Sequence, residues 1–279
     1  MATFRHHPGI HYRVMATANP RPRRPKSLLA PKLRSRSIYL LPNLFTSASL
    51  FAGFYSVVQA MGGHFELAAV AIFIAMVMDG LDGRVARLTN TQSAFGAEYD
   101  SLSDMVSFGV APSLVLYVWA LKPMGKLGWI AAFIYCACAA LRLARFNTKL
   151  DESDKRWFQG LPSPAAAALL AGLVWVFNDN GISGSDVFFG WLQMKWVAWT
   201  FTVFAGLTMV SDLRYYSGKD IDLRRSVPFM MVLAIVLAFV LISYSPPVVL
   251  FMLFVAYGLS GYVEWGMRRT KRELPAETS

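Results

Sequence analysis

Of the 279 residues, 55% are hydrophobic and only 16% are charged, against roughly a quarter charged in a soluble domain, so the chain is expected in lipid. The net charge of +10 would suit nucleic acid, but no RNA-binding signature or aromatic-interleaved basic face accompanies it, and nucleic acid is set aside as a partner. The two cysteines, Cys136 and Cys138, stand two apart in one apolar segment, face different sides of a helix and cannot staple distant parts of the fold.

In chain order, residues 1–37 read as a basic arm. Nine Lys and Arg residues, from Arg5 to Arg36, precede the first acidic residue. Prolines at 20, 22, 25 and 31 oppose an amphipathic targeting helix, so the arm is expected to be disordered, cytoplasmic and close to anionic lipid headgroups. His6, His7 and His11 in such an arm are read as incidental. Apolar segments then recur at 38–60, 66–85, 97–121, 127–146, 162–178, 188–211, 227–244 and 247–267. A bilayer obliges each segment to satisfy its own backbone donors and acceptors, which gives an all-α fold: a polytopic transmembrane helical bundle of about eight spans. The transmembrane domain is 38–267, and 268–279 is a cytoplasmic tail. With the N-terminus inside, every Lys and Arg except Lys122, Lys126 and Lys195 falls on the cytoplasmic side. No Walker loop, Gly-rich dinucleotide turn or inverted repeat interrupts this pattern.

Two of the segments carry charges that the membrane penalises. Asp79 and Asp82 close the second segment, followed by Gly83, Ala86 and Arg87; Gly96, Asp100 and Asp104 open the third. Each intramembrane carboxylate costs about 2.5–3.5 kcal/mol on an insertion scale, so four together require compensation. Spacings of three and four place each pair on one helix face, and the short loop between Leu88 and Phe95 makes the helices antiparallel, with all four carboxylates at similar depth. Hard divalent cations remove their repulsion, and oxygen-only ligands favour Mg²⁺ or Mn²⁺ over zinc. Such a cluster is suited to receiving a pyrophosphate. Gly83 and Gly96 leave room for a ligand or for another backbone.

The run Asp82-Gly83-Arg84-Val85-Ala86-Arg87, then Gly96, Asp100 and Asp104, resembles the signature DGx₂ARx₈Gx₃Dx₃D of the CDP-alcohol phosphatidyltransferases, and Asp79 supplies the additional upstream aspartate. The resemblance implies two metal ions held by Asp79, Asp82, Asp100 and Asp104, with Asp104 also the catalytic general base. It implies CDP-diacylglycerol contacts at Gly83, Arg87, Ser93 and Gly96. Pro42-Asn43-Leu44-Phe45-Thr46 resembles the family's Pro-Asn-x-x-Thr element and adds Asn43 and Thr46 to those contacts, although an Asn or Thr in a membrane helix more often bonds to a neighbouring helix. Ser49 stands where the family pattern has Asn.

Three further segments resemble bacterial-type phosphatidylserine synthases: Ser107-Phe108-Gly109-Val110-Ala111-Pro112, Leu141-Arg142-Leu143-Ala144-Arg145-Phe146-Asn147 and Gly160-Leu161-Pro162-Ser163-Pro164. They imply L-serine as the acceptor, with Ser107, Arg142 and Arg145 as serine-binding candidates. An Arg can clamp the serine carboxylate through two parallel hydrogen bonds, while the same arginines could equally mark the positive-inside boundary. The resemblance also implies a homodimer; a bacterial inner membrane fits best, with the long basic arm leaving an organellar envelope open, and the charge distribution puts both termini and the active site on the cytoplasmic side. A sister enzyme using glycerol 3-phosphate or an inositol phosphate shares the aspartate motif. From another class, an ion or metal transporter could line its path with carboxylates, though such sites usually lie at the midplane.

Overall fold

The computed structural model describes residues 30–89, 91, 93–148, 157–188, 190, 192–216 and 229–273. Most of the expected basic arm, and the tail from residue 274, lie outside the described residues. Eight helical rods are seen among the described residues: α1 (Ala30–Met61), α2 (Phe65–Thr89), α3 (Ala94–Met124), α4 (Lys126–Thr148), α5 (Ser163–Asp179), α6 (Met194–Val210), α7 (Phe229–Tyr244) and α8 (Pro246–Glu273). Each falls on one of the apolar segments read from the sequence. The first begins at Ala30 rather than 38, with Pro31 in its opening turn, where a missing N–H breaks no helical hydrogen bond.

Among the described residues, four helical stretches are long and apolar enough to cross a membrane: Pro42–Met61, Ala94–Met124, Lys126–Thr148 and Pro246–Arg269. They mark the chain as an integral membrane protein. α2 falls outside this set because Glu66, Asp79, Asp82 and Arg84 interrupt its apolar run. α5 and α6 are apolar but only 17 residues each. Among the described residues, two short antiparallel ribbons in the loops depart from the all-helical expectation. β1 (Trp157–Gln159) pairs with β4 (Arg214–Tyr216), and β2 (Val187–Phe188) pairs with β3 (Leu192–Gln193). Ribbons this short carry no alternating apolar pattern long enough to read from sequence.

Small residues set the packing. α1 lies along α2 with Ala52, Ala60, Ala68, Ala69, Ala71 and Ala75 buried around the seam, so the backbones approach closely. Ser56 Oγ donates to the Ala68 carbonyl at 2.7 Å and Ser49 Oγ to the Ala75 carbonyl at 3.1 Å. Ser49 thus serves as an interhelical donor. α5 is the central rod: Ala165 to Val174 are all buried, and it packs on α2, α6 and α8. Its Gly172 leaves no room beside Phe251 of α8, where an added Cβ would lie 3.1 Å from the Phe251 Cα.

α3 is not uniform. It is α-helical over Ala94–Asp104, widens to a π-helix over Met105–Val110, and widens again over Tyr117–Leu121. The first widening begins immediately after Asp104, a position where π-turns often accompany functional groups.

Candidate active site

α1 lines the site from one side. It packs against both α2 and α3, and α2 and the first part of α3, which meet beyond Asp104, flank a cavity of about 530 Å³. Among the described residues three interhelical hydrogen bonds fix α3 to α1, one of them between Ser47 Oγ and the Tyr99 hydroxyl at 2.8 Å. Ser103 Oγ donates to the Thr46 carbonyl at 3.1 Å, and Ser107 Oγ donates to the Ser49 carbonyl at 3.0 Å. Gly53 of α1 allows this approach, since a Cβ there would sit 2.6 Å from Ser107 Oγ and 2.7 Å from its Cα. Ser93 caps the start of α3 by accepting from the Gly96 N–H at 3.0 Å.

The antiparallel geometry pairs the aspartates by level. Asp82 and Asp100 face the cavity, with their carboxylates within hydrogen-bond reach of each other. One helical turn further into the bundle, Asp79 and Asp104 are likewise within reach of each other. One oxygen from each of Asp79, Asp82 and Asp100 lies within 4.8 Å of the other two. Thr46 Oγ1 donates to Asp82 Oδ2 at 2.8 Å and orients that carboxylate. Asp100 Oδ1 and Asp104 Oδ1 are buried without a hydrogen-bond partner.

Partnerless buried carboxylate oxygens in a four-acid cluster suit a cation: lone pairs converge, no donor answers them, and like charges repel. All the donors are oxygen, the set a hard divalent ion takes. The residues present therefore fit a metal ion.

Around this cluster the cavity is lined by Asn43 and Thr46 of α1, Gly83 and Arg87 of α2, and Ser93 and Gly96 of α3. Every nucleotide candidate read from the sequence is brought to one wall or another. A Cβ at Gly83 would meet no atom within 4 Å, so this glycine borders open space that a ligand can fill. At Gly96 a Cβ would come 3.1 Å from Ser93 Oγ and 3.4 Å from Asn43 Oδ1, which keeps the two polar groups at the cavity mouth. Arg87 is exposed, and its Nε donates to the Gly83 carbonyl at 2.9 Å. The sequence reading missed Thr91, which is buried in the wall, and Phe146 of α4, the cavity's aromatic side. Phe146 adjoins Arg145 in a segment already singled out; nothing in its spacing marked it as a cavity residue.

The three serine-binding candidates separate. Arg142 is 9% exposed, its Nη1 donates to Ser163 Oγ at 2.8 Å, and it lies within electrostatic range of Asp104. Its Nε is buried without a partner. Arg145 instead points outward, donating to Asp212 Oδ1 at 2.5 Å, to Gln159 Oε1 at 3.1 Å and to the Val210 carbonyl at 3.5 Å. It ties α4 to the loops that follow α6 and precede α5. Ser107 is fully buried, and its hydroxyl is engaged by the Ser49 carbonyl as described.

An acid cluster beside a polar, glycine-bordered cavity, with a buried arginine within electrostatic range of one acid, can hold a pyrophosphate, take a proton from an acceptor and recognise an anion on that acceptor. Comparison with known proteins points the same way. A CDP-diacylglycerol–serine O-phosphatidyltransferase of Helicobacter pylori is 38% identical over 232 residues, covering 82% of this chain and 92% of that protein. The enzyme of the same name from Methanocaldococcus jannaschii is 35% identical over 195 residues, covering 69% of this chain and 82% of its own length. That of Saccharomyces cerevisiae is 34% identical over 164 residues, 54% of this chain and 58% of its own. Residues 39–205 match the CDP-alcohol phosphatidyltransferase family, a stretch that contains the whole aspartate cluster, its cavity and Arg142. This chain belongs to the CDP-alcohol phosphatidyltransferase family.

Proposed function

We propose that the chain transfers the phosphatidyl group of CDP-diacylglycerol to L-serine, giving phosphatidylserine and CMP. The observation that carries this reading is the buried Arg142, which keeps an unpaired donor within electrostatic range of Asp104. An acceptor held there would present its hydroxyl to Asp104 and its carboxylate to the guanidinium. Relatives named for the serine reaction support the same acceptor.

In the proposed reaction Asn43, Thr46, Gly83, Arg87, Ser93 and Gly96 bind the cytidine nucleotide and its phosphates, orienting the lipid-bearing phosphorus toward the cluster. Asp79, Asp82, Asp100 and Asp104 would hold Mg²⁺ or Mn²⁺, two ions in all. Bound there, the ions supply charge that neutralises the carboxylates and stabilises the pyrophosphate oxygens and departing CMP. Asp104 takes the serine hydroxyl proton as the hydroxyl oxygen bonds to the phosphorus bearing diacylglycerol. The bond from that phosphorus to the oxygen bridging toward CMP breaks, and CMP leaves with the electron pair. Thr46 keeps Asp82 turned toward the cavity through its 2.8 Å hydrogen bond. We assign Arg142 to the serine carboxylate, Ser107 to holding α3 on α1, and Arg145 to the Asp212 contact that steadies the serine side of the site.

The wider setting is proposed with it: about eight spans across a bacterial inner membrane, both termini and the cluster cytoplasmic, and a homodimer. The distribution of Lys and Arg supports that orientation. The deciding experiment measures CMP release from CDP-diacylglycerol by the purified protein with L-serine, glycerol 3-phosphate, an inositol phosphate or no acceptor, in Mg²⁺, Mn²⁺ or chelator. Serine-dependent, metal-dependent release is expected. Release driven by a phosphorylated acceptor would replace the assigned substrate, and metal flux in proteoliposomes without any CMP would replace the enzyme reading.

A further inference from the structure

Arg142 can serve as a clamp only if something holds its guanidinium in place, and among the described residues one group does so. Ser163 is buried at 1% exposure, and its hydroxyl receives Arg142 Nη1 at 2.8 Å. The neighbouring tyrosines do not share that duty. Tyr135 donates its hydroxyl to the Phe108 carbonyl at 3.0 Å and Tyr257 donates its own to the Tyr216 carbonyl at 3.2 Å. With Nη1 engaged, the guanidinium edge formed by Nε and Nη2 is the pair geometrically suited to a bidentate carboxylate, and Nε is the atom left buried and unpartnered.

Ser163 is in turn fixed by the fold rather than by the arginine. It opens α5 between Pro162 and Pro164, after a turn that Gly160 makes possible with φ of 76°. A Cβ at Gly160 would collide with the Met209 carbonyl. The Gly160 N–H donates to the Leu213 carbonyl at 2.8 Å and the Leu161 N–H to the Thr208 carbonyl at 3.1 Å, so the turn is fastened to the end of α6 and the residues after it. The serine hydroxyl therefore sits at a set height against α4.

We infer that Ser163 is a positioning residue for acceptor specificity: by holding Nη1 it presents the Nε–Nη2 edge of Arg142 to the acceptor's carboxylate. The inference rests on the assignment of Arg142 to that carboxylate, and the test separates the two. The full-length protein is assayed as Ser163→Ala, Ser163→Thr, Arg142→Lys and the double variant Arg142→Lys/Ser163→Ala, with L-serine and with ethanolamine, an amino alcohol lacking the carboxylate. Ser163→Ala should raise the KM for serine roughly tenfold, leave the KM for CDP-diacylglycerol unchanged and narrow the preference for serine over ethanolamine by a similar factor. Ser163→Thr, which keeps the hydroxyl, should restore the serine KM, and the double variant should be no worse than Arg142→Lys alone. Equal increases in both KM values, or a fall in kcat with the serine KM unmoved, would overturn the positioning role. If Arg142→Lys itself leaves the serine KM unchanged, the arginine assignment fails first. If it raises that KM while Ser163→Ala does not, only the role of Ser163 fails.

Discussion

Replacing Gly53 by alanine tests whether the site depends on how closely α1 approaches α3. The new Cβ would lie 2.6 Å from Ser107 Oγ, 2.7 Å from its Cα and 2.9 Å from its Cβ. Carbon atoms pack at about 3.5–4.0 Å, so the two helices must part by roughly 1 Å. Overpacking of this kind costs about 1–3 kcal/mol, offset by about 1 kcal/mol because alanine favours a helix over glycine. The variant should therefore fold, with a melting temperature in detergent only slightly below that of the parent. Its chemistry should suffer far more. α1 carries Thr46, which orients Asp82, while α3 carries Asp100 and Asp104, so separating the helices spreads the acid cluster. A misplacement of about 1 Å can reduce turnover on the order of 10²-fold, near 2.7 kcal/mol in the barrier. CMP release with serine and saturating Mg²⁺ or Mn²⁺ measures this directly. Gly266→Ala is the control, since a Cβ there meets no atom within 4 Å. Turnover of Gly53→Ala within twofold of the parent, at unchanged stability, would refute the idea that this contact sets the cluster.

Asp104→Asn should lower kcat by about 10²–10⁴-fold while leaving the CDP-diacylglycerol KM nearly unchanged; normal turnover in a CMP-release assay would remove Asp104 as the base. Thr46→Val deletes the donor to Asp82 and should raise the metal concentration for half-maximal activity by roughly tenfold, with Thr46→Ser close to the parent. Metal titrations read both variants, and an unshifted curve for valine would show that the hydrogen bond is dispensable. Ser93→Ala removes the cap of α3 and should lower stability by about 1 kcal/mol, seen as a fall of a few degrees in the thermal midpoint.

The chemistry of the site was legible in the sequence because it is local. Asp79 and Asp82 three apart, and Asp100 and Asp104 four apart, share helix faces by helical periodicity alone, and a loop as short as 88–95 leaves only an antiparallel return. The apolar segments were legible for the same reason, since length and composition decide what can lie in lipid. What only the tertiary structure decided is non-local. It fastened α3 to α1 beside the cavity, through Gly53, Ser103 and Ser107, and it brought Phe146 to the cavity wall. It also separated two arginines that look equivalent in sequence. Arg142 and Arg145 stand three apart on one helix, yet one binds Ser163 while the other pairs with Asp212. No spacing rule distinguishes them, because the difference lies in residues 21 and 67 positions away that only packing brings near.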